Sequence, residues 1–432
     1  MSLREDEENY MLQFNKFKIL LALALTAGFG AAAPVLAQHE VIAIRGGMLY
    51  TVTKGIIDGG NIIIRNGKIE AVGKNVAIPK GAVVIEAARA AVFPGFIDAF
   101  TNLGADEMMF GRDFDEATSP LTPQLWIIES INPENGFIPA ARKMGTTAVL
   151  AAPGKGNLIS GQSALLRLAG ATVKDMTVKF PVAVHVNMGE APKMRYGSKG
   201  QMPQTRMGEA ALLRQTLTEV REYMAAAGQY EKKLADFKAK GGSGDKPEKP
   251  ARNLQHEALV PALQGTLPVI VAAERLDDIL TALRISDEFG LRLILAGGAD
   301  AWKVKDRLAE KKIPVLLRPE AAAPMTVETL GAVFENAAIL QKAGIRIAFQ
   351  TGATRELTGL IQQARLAMAY GLSQEEALKA LTINPAVIFG AGDELGSIEK
   401  GKAGEIVIFD GNPLLAPAKV KAVIIGGRLI KD

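Results

Sequence analysis

The chain has 432 residues, 48% of them hydrophobic and 22% charged, so it is long enough to bury one large core or two moderate ones. Its net charge of +4 comes from 50 basic and 46 acidic residues, with no basic block interleaved with aromatic residues, which argues against a nucleic-acid partner. The absence of cysteine excludes disulfides, thiolate metal sites and a cysteine nucleophile, and is compatible with an oxidising compartment.

Residues 1–37 have the pattern of a leader. Between Lys16 and Ala37, a basic start is followed by an apolar core and a small-residue end, as in a secretory signal peptide. We expect cleavage before Gln38, a periplasmic or secreted protein, and no membrane contact after cleavage. An uncleaved anchor is the alternative, because the apolar run is almost long enough to span a bilayer. The Gly/Ala/Pro-rich end of the run favours cleavage.

Residues 38–91 and 396–432 share one pattern, of short alternating strands separated by turn residues. Asn66-Gly67 is a hairpin signal in the first segment, and Asp410-Gly411 and Gly426-Gly427 mark turns in the second. Two β-rich ends around a long alternating middle predict a small composite β-sandwich built from both ends of the chain.

Residues 92–395 alternate apolar runs with helical patterns, which predicts an α/β protein with a (β/α)8 TIM-like barrel. The helical patterns include Leu276–Glu288 and Thr326–Ala343. The buried-strand candidates between them are Thr147–Ala152, Val182–Val186, Val269–Ala272, Leu291–Leu295, Val315–Leu317 and Ile345–Phe349.

An insertion is expected at about residues 227–252. Arg206–Ala226 has an amphipathic helical pattern, and a charged segment follows Gly228. The segment ends in the Gly/Pro-rich stretch Lys240–Pro250, which is typical of a surface linker.

The stretch from Val92 to Gly104 has the sequence Val-Phe-Pro-Gly-Phe-Ile-Asp-Ala-Phe-Thr-Asn-Leu-Gly. It resembles the first barrel strand of the metal-dependent amidohydrolases, Pro-Gly-x-Ile-Asp-x-His-x-His-x-Gly. Thr382–Ala386 and Gly396–Lys402 resemble the same family. Ala148–Gly170, with Asn157–Gln162 at its centre, resembles the loop after an early strand in exported members of the family. The resemblance extends from Val41 to the last residue and is closest to the periplasmic imidazolonepropionase-like and prolidase-like members. It implies the barrel, the flanking sandwich and hydrolysis of carbon–nitrogen bonds.

The same resemblance implies metal ligands at the strand ends. They would be two histidines after the first strand, a lysine or glutamate after the fourth, histidines after the fifth and sixth, and an aspartate after the eighth. A phenyl ring has no lone pair for a metal, and a carboxamide is a weak substitute for imidazole. In this chain, the positions are occupied by Phe100, Asn102, His185, Ala272, Gly297 and Gly352, with Glu274 following the fifth strand.

These substitutions predict a degenerate member without a metal cofactor. A metal lowers the pKa of its bound water to about 7, so loss of the ligands removes the nucleophile as well. We expect a pseudoenzyme that binds a small molecule in the barrel mouth or forms an oligomer, with itself or with an active amidohydrolase paralogue. Loss of the imidazoles predicts a cavity that is lined more by apolar atoms than in an active relative and is partly plugged by Phe100.

Two alternatives stay open. The first is a hydrolase of cyclic amides or dipeptides with a rearranged site centred on His185 and Glu274, which could hold a zinc-type ion. The second is a purely structural role in an oligomer. No serine-nucleophile elbow or dinucleotide fingerprint is present, and Gly154-Lys155-Gly156 lacks the Lys-Ser/Thr that follows a phosphate-binding loop.

Overall fold

A computed structural model describes residues 41–106, 113–323, 326–353 and 359–431. The expected leader and signal peptide lie outside these ranges. No helix in the described ranges is long and apolar enough to cross a membrane.

The described residues form a mixed α/β fold. The strands are β1 (Ile42–Tyr50), β2 (Ile56–Arg65), β3 (Lys68–Gly73), β4 (Val83–Glu86), β5 (Ala91–Pro94), β6 (Phe96–Thr101), β7 (Thr146–Ala151), β8 (Ile159–Gln162), β9 (Ala164–Arg167), β10 (Thr177–Lys179), β11 (Val184–Asn187), β12 (Val269–Ala273), β13 (Leu293–Gly297), β14 (Val315–Leu317), β15 (Ile347–Phe349), β16 (Ile406–Phe409), β17 (Val420–Ile425) and β18 (Arg428–Ile430).

Helices lie mainly between the central strands. The α-helices are α1 (Phe137–Lys143), α2 (Val173–Met176), α3 (Glu190–Gly197), α4 (Arg206–Ala239), α5 (Leu254–Leu263), α6 (Leu276–Phe289), α7 (Lys305–Glu310), α8 (Asn336–Lys342), α9 (Gly359–Ala369), α10 (Gln374–Leu381) and α11 (Ile383–Ile388).

Both ends of the described chain contribute to one eight-stranded sheet, in the order β18-β17-β16-β5-β1-β2-β3 with β4 also paired to β1. The connection between the two ends is the antiparallel pairing of β16 with β5. Asn66, at φ 52°, and Gly67 turn the chain between β2 and β3, so the hairpin predicted there is confirmed. The packing of two sheets face to face that a sandwich requires stays a prediction.

Two further sheets carry the central strands, in the orders β10-β9-β7-β6 and β15-β14-β13-β12-β11-β8. Strands β11 to β15 are mutually parallel. Along β12, Val269 and Val271 belong to one apolar cluster and Ile270 and Ala272 to another. Burial on both faces explains why this strand is a continuous apolar run. The residues after β15 are hydrogen-bonded to β6, since Gly352 N donates to Phe100 O over 2.9 Å.

Three predicted segments differ from the structure. Asn157–Gln162 was expected to be a loop, but Ile159–Gln162 forms β8, which pairs antiparallel with β11. The helix expected over Arg206–Ala226 continues to Ala239, because the charged segment after Gly228 consists mostly of good helix formers. Thr326–Ala343 is not one helix: Val327–Thr329 is a short 3-10 turn, and the α-helix begins at Asn336.

Candidate functional site

The predicted site residues lie in or just after β6, β11, β12 and β13 and in the segment after β15. Phe100 is 1% exposed, and its ring lies 5.4 Å from the ring of His185 in an edge contact. The Lys155 Nζ atom lies 5.1 Å from the centroid of the same phenyl ring. Phe100 is therefore enclosed between an imidazole and an ammonium group, which is a favourable position for the cation.

Asn102 has its side chain committed to the backbone. Its Nδ2 atom donates to the carbonyl oxygen of Ala152 over 2.8 Å, and the residue is buried. This bond connects the end of β6 to the end of β7. Asn102 thus has a structural contact at the position where the family resemblance implies the second histidine.

His185 lies in β11 and is 1% exposed. Burial, and secondarily the positive charge of Lys155, lower its pKa from 6.5 to about 3, so the imidazole is neutral. Its Nε2 atom has no hydrogen-bond partner among the described residues. A neutral imidazole beside Phe100 and Lys155 is compatible with a core residue and with a hydrogen-bonding group for a ligand.

Glu274 follows β12, where Ala272 offers only a methyl group. The Glu274 Oε2 atom accepts a hydrogen bond from Ala299 N over 3.0 Å. Burial raises the pKa of Glu274, while the positive charge of Lys155 opposes the rise. Among the described residues, no hydrogen bond or ion pair joins Glu274 to His185; the ammonium of Lys155 acts on both.

Gly297, at the end of β13, has the Glu274 carboxylate in the space that a side chain would take. A Cβ atom at position 297 would overlap Glu274 Oε1, and the backbone there has φ +87°. The carboxylate thus occupies the volume in which the family resemblance implies a histidine. The space beside the glycine is thus filled by a side chain from the neighbouring strand end.

Gly352, after β15, faces a cationic side chain. A Cβ atom at position 352 would lie 3.4 Å from Arg318 Nη1. Arg318 donates from Nη1 to Thr351 O over 3.4 Å and lies 3.4 Å from Glu320. A guanidinium group is therefore adjacent to the position of the implied metal-binding aspartate.

The donor set does not fit the metal centre that the resemblance implies. His185 and Glu274 are the metal-binding side chains at the predicted positions, and a protein-bound zinc needs three or four such ligands. In the ranges described above, no three His, Asp or Glu side chains come together as a group that could hold a metal ion. Lys155 and Arg318 add positive charge where a cation would have to bind.

A cavity of about 170 Å³ opens at these strand ends. Charged and apolar side chains both line its wall, and Phe100, whose ring is covered by Lys155, is not among the lining residues. That the lining is more apolar than in an active relative stays a prediction. Sequence reasoning missed Lys155 and Arg318 as site residues. For Lys155, the signal available was the Gly-Lys-Gly sequence in the loop after β7. The polar lining residues include Lys155, Glu274, Arg318, Glu328, Asn336 and Gln350.

The fold and the site together define a class: an α/β protein with a polar cavity at the carboxyl ends of its parallel strands. Residues 291–430 match the model of the amidohydrolase family. An amidohydrolase structure from Thermotoga maritima MSB8 is 34% identical, with a TM-score of 0.84, and the match covers 90% of this chain and 99% of that one. The chain belongs to the amidohydrolase family.

Two curated relatives match over parts of their length. The amidohydrolase tasK of Hapsidospora irregularis is 23% identical over 395 residues, which are 85% of this chain and 39% of the relative. An imidazolonepropionase of Thermoplasma volcanium is 36% identical over 90 residues, which are 20% of this chain and 22% of the relative. The chain thus spans well under half the length of each of them in these matches.

Proposed function

We propose that this chain is an exported amidohydrolase-family protein that binds a small molecule at the mouth of a (β/α)8 barrel without a metal centre. One observation carries the proposal: the Glu274 carboxylate occupies the side-chain space beside Gly297. A histidine at position 297 and the present position of Glu274 exclude each other sterically. This packing of Glu274 against Gly297 supports a site without a metal ligand at position 297.

The charge of Lys155 supports the same proposal. Its ammonium lies over Phe100, lowers the pKa of His185 and opposes the rise in the pKa of Glu274. A divalent ion bound among these side chains would be repelled by the ammonium, whereas a neutral or anionic molecule would not be.

Metal analysis tests the proposal. The protein is to be purified without a tag from cells grown with added zinc, and its metal content measured by mass spectrometry. We expect much less than one metal per chain, with the same content in a Glu274→Gln variant. One tightly bound metal per chain that disappears in the Glu274→Gln variant would overturn the proposal.

A second candidate function is hydrolysis of a carbon–nitrogen bond. It is favoured by the raised pKa of Glu274, which suits a general base, and by the 34% identity to the Thermotoga maritima amidohydrolase. In this case, Lys155 would stabilise the negative charge that develops on the substrate oxygen. The assay is turnover of cyclic amides and dipeptides. Turnover that is lost in Glu274→Gln but retained in Lys305→Met, which alters a lysine outside the cavity lining, would favour this function over the first.

The proposal also covers the oligomeric state of the protein and its export from the cytoplasm. A metal-free member is expected to form an oligomer, either with itself or with an active amidohydrolase paralogue. Light scattering of the purified chain tests self-association, and co-purification from the native cells tests the paralogue. Sequencing of the mature N-terminus checks cleavage before Gln38.

A further inference from the structure

The mouth cavity contains an ammonium group that makes no direct ion pair with a described residue. Lys155 is half-buried and lines the cavity, and no carboxylate of the described residues lies within ion-pair distance of its ammonium. Its contact is the phenyl ring of Phe100. Partial burial of an unpaired ammonium is unfavourable, and an anion bound in the cavity would remove the cost.

Arg318 provides a second cationic group in the same wall. Its guanidinium lies beside Gly352, and its charge, like that of Lys155, acts on Glu274. The fork of an arginine matches the two oxygens of a carboxylate, and an ammonium beside it adds a point charge.

The charges and the size of the cavity limit the charge and the size of an anion that could bind there. The wall holds two cations, Lys155 and Arg318, and two carboxylates, Glu274 and Glu328. Arg318 also lies 3.4 Å from the carboxylate of Glu320. A dianion would therefore meet repulsion from the carboxylates. A cavity of roughly 150 Å³ holds one benzene ring, and this one is of similar size. Apolar side chains form another part of its wall, among them Leu317, Ala322, Val333 and Ala337.

We propose that the mouth cavity is a receptor for a small monocarboxylate with an apolar body, held through its carboxylate by Lys155 and Arg318. This inference rests on the proposed function, that the mouth binds a small molecule instead of a metal. It adds the chemical class of the ligand and names Lys155, which follows β7, as its main contact.

The test compares ligands of equal size and different charge. Benzoate and short aliphatic carboxylates are to be titrated into the full chain by calorimetry and in thermal unfolding, beside benzamide and the matching aliphatic amides. Phenyl phosphate serves as the dianion. We expect the carboxylates to raise the Tm by a few degrees at saturation and the amides and phenyl phosphate to have little effect.

Variants of Lys155 separate the effect of its positive charge on carboxylate binding from the effect of its side-chain shape. Lys155→Met removes the charge and should weaken carboxylate binding by about tenfold to a hundredfold. Lys155→Arg keeps the charge and should retain most of the affinity. The control is Lys305→Met, because Lys305 is partly exposed, does not line the cavity and is paired with Asp306 over 2.8 Å. Circular dichroism is to establish that each variant folds.

Each outcome has a defined meaning. Amides that bind as tightly as carboxylates, or equal carboxylate affinity in Lys155→Met, would overturn the inference while small-molecule binding stands. Failure of every carboxylate to bind would also overturn it. Stoichiometric metal dependent on Glu274, by contrast, would contradict the proposed function itself.

Discussion

The Glu274 carboxylate lies against Gly297, in the volume that a side chain at position 297 would fill. Ala299 N donates a hydrogen bond that fixes the carboxylate there. The pair shows that the glycine is a requirement of the present packing, because any larger residue would displace Glu274.

Restoring the implied histidine should therefore damage the fold and not create a metal site. In Gly297→His, the new side chain would meet Glu274, and the positive φ would cost about 1–2 kcal/mol in addition. We expect the free energy of unfolding to fall by about 3 kcal/mol, measured by urea denaturation.

A double-mutant cycle tests the cause. Gly290→Ala, at φ +70° with no atom within 4 Å of the new Cβ, is the control for backbone strain alone. Gly297→Ala should lower the free energy of unfolding by more than this control does. Combining it with Glu274→Ala should reduce that additional loss. Equal costs for the two glycine variants would contradict the steric explanation.

The positions of the central strands could be predicted because burial on both faces leaves a clear signal. Val315–Leu317 was predicted with its observed ends, and Val269–Ala272 to within one residue. The segment 326–343 failed because its helical periodicity is local, whereas its structure is determined by distant contacts. Trp302 Nε1 donates to Gly331 O over 3.1 Å, and Gly331 packs against Asp300.

The sequence allowed site positions to be compared with a family pattern, but it did not indicate the charged groups that surround them. Phe100, Gly297 and Gly352 could be compared position by position with a family pattern. Lys155 and Arg318 could not be, because they come from the ends of other strands, and sequence spacing does not report which loops meet above a sheet. The charged cavity is a tertiary property.

Acid should destabilise the chain through His185. In the folded state, burial and then Lys155 lower its pKa from 6.5 to about 3. Between pH 6.5 and about pH 3, the unfolded chain binds a proton at His185 that the folded chain does not. The contribution of the neutral imidazole to stability is therefore fully present above pH 6.5 and is lost as the pH falls towards 3. The effect is about 1.4 kcal/mol for each pH unit in this window.

The measurement is urea denaturation of wild type and His185→Gln from pH 7 to pH 4. The unfolding free energy of wild type minus that of His185→Gln should decrease as the pH falls. Val186→Ala, in the same strand, should lower stability by one constant amount. Lys155→Met, which removes the smaller cause of the low pKa, should narrow the window. A constant difference for His185→Gln would rule out the buried neutral imidazole.

Glu209 should give a pH dependence of opposite sign. It is fully buried in α4, and burial raises its pKa from 4.5 to about 8, although hydrogen bonds from Gly189 N oppose the rise. The folded chain therefore holds a proton that the unfolded chain releases. The contribution of Glu209 to stability is fully present below pH 4.5 and is lost as the pH rises through about 8.

Glu209→Gln keeps an acceptor for Gly189 N and cannot ionise. We expect it to match wild type at pH 4 and to become more stable than wild type towards pH 8, by up to about 1.4 kcal/mol per pH unit. Thr216→Val, a buried neutral position in the same helix, should show a constant difference in denaturation experiments. A Gln variant less stable than wild type at pH 8 would show that Glu209 is charged in the folded state.

Asp98 should be a structural residue that joins β6 to the segment after β15. Its carboxylate is buried and accepts hydrogen bonds from Phe100 N over 3.2 Å, Thr351 N over 3.0 Å and Thr351 Oγ1 over 2.6 Å. Asp98→Ala leaves these donors unpaired in a buried site, and we expect a loss of about 3 kcal/mol in urea denaturation. Thr351→Val removes the hydroxyl bond and should cost about 1 kcal/mol. The two losses should be less than additive when combined, because one bond is shared. Full additivity, or an Asp98→Ala variant as stable as wild type, would show that the two strand ends are joined by other contacts.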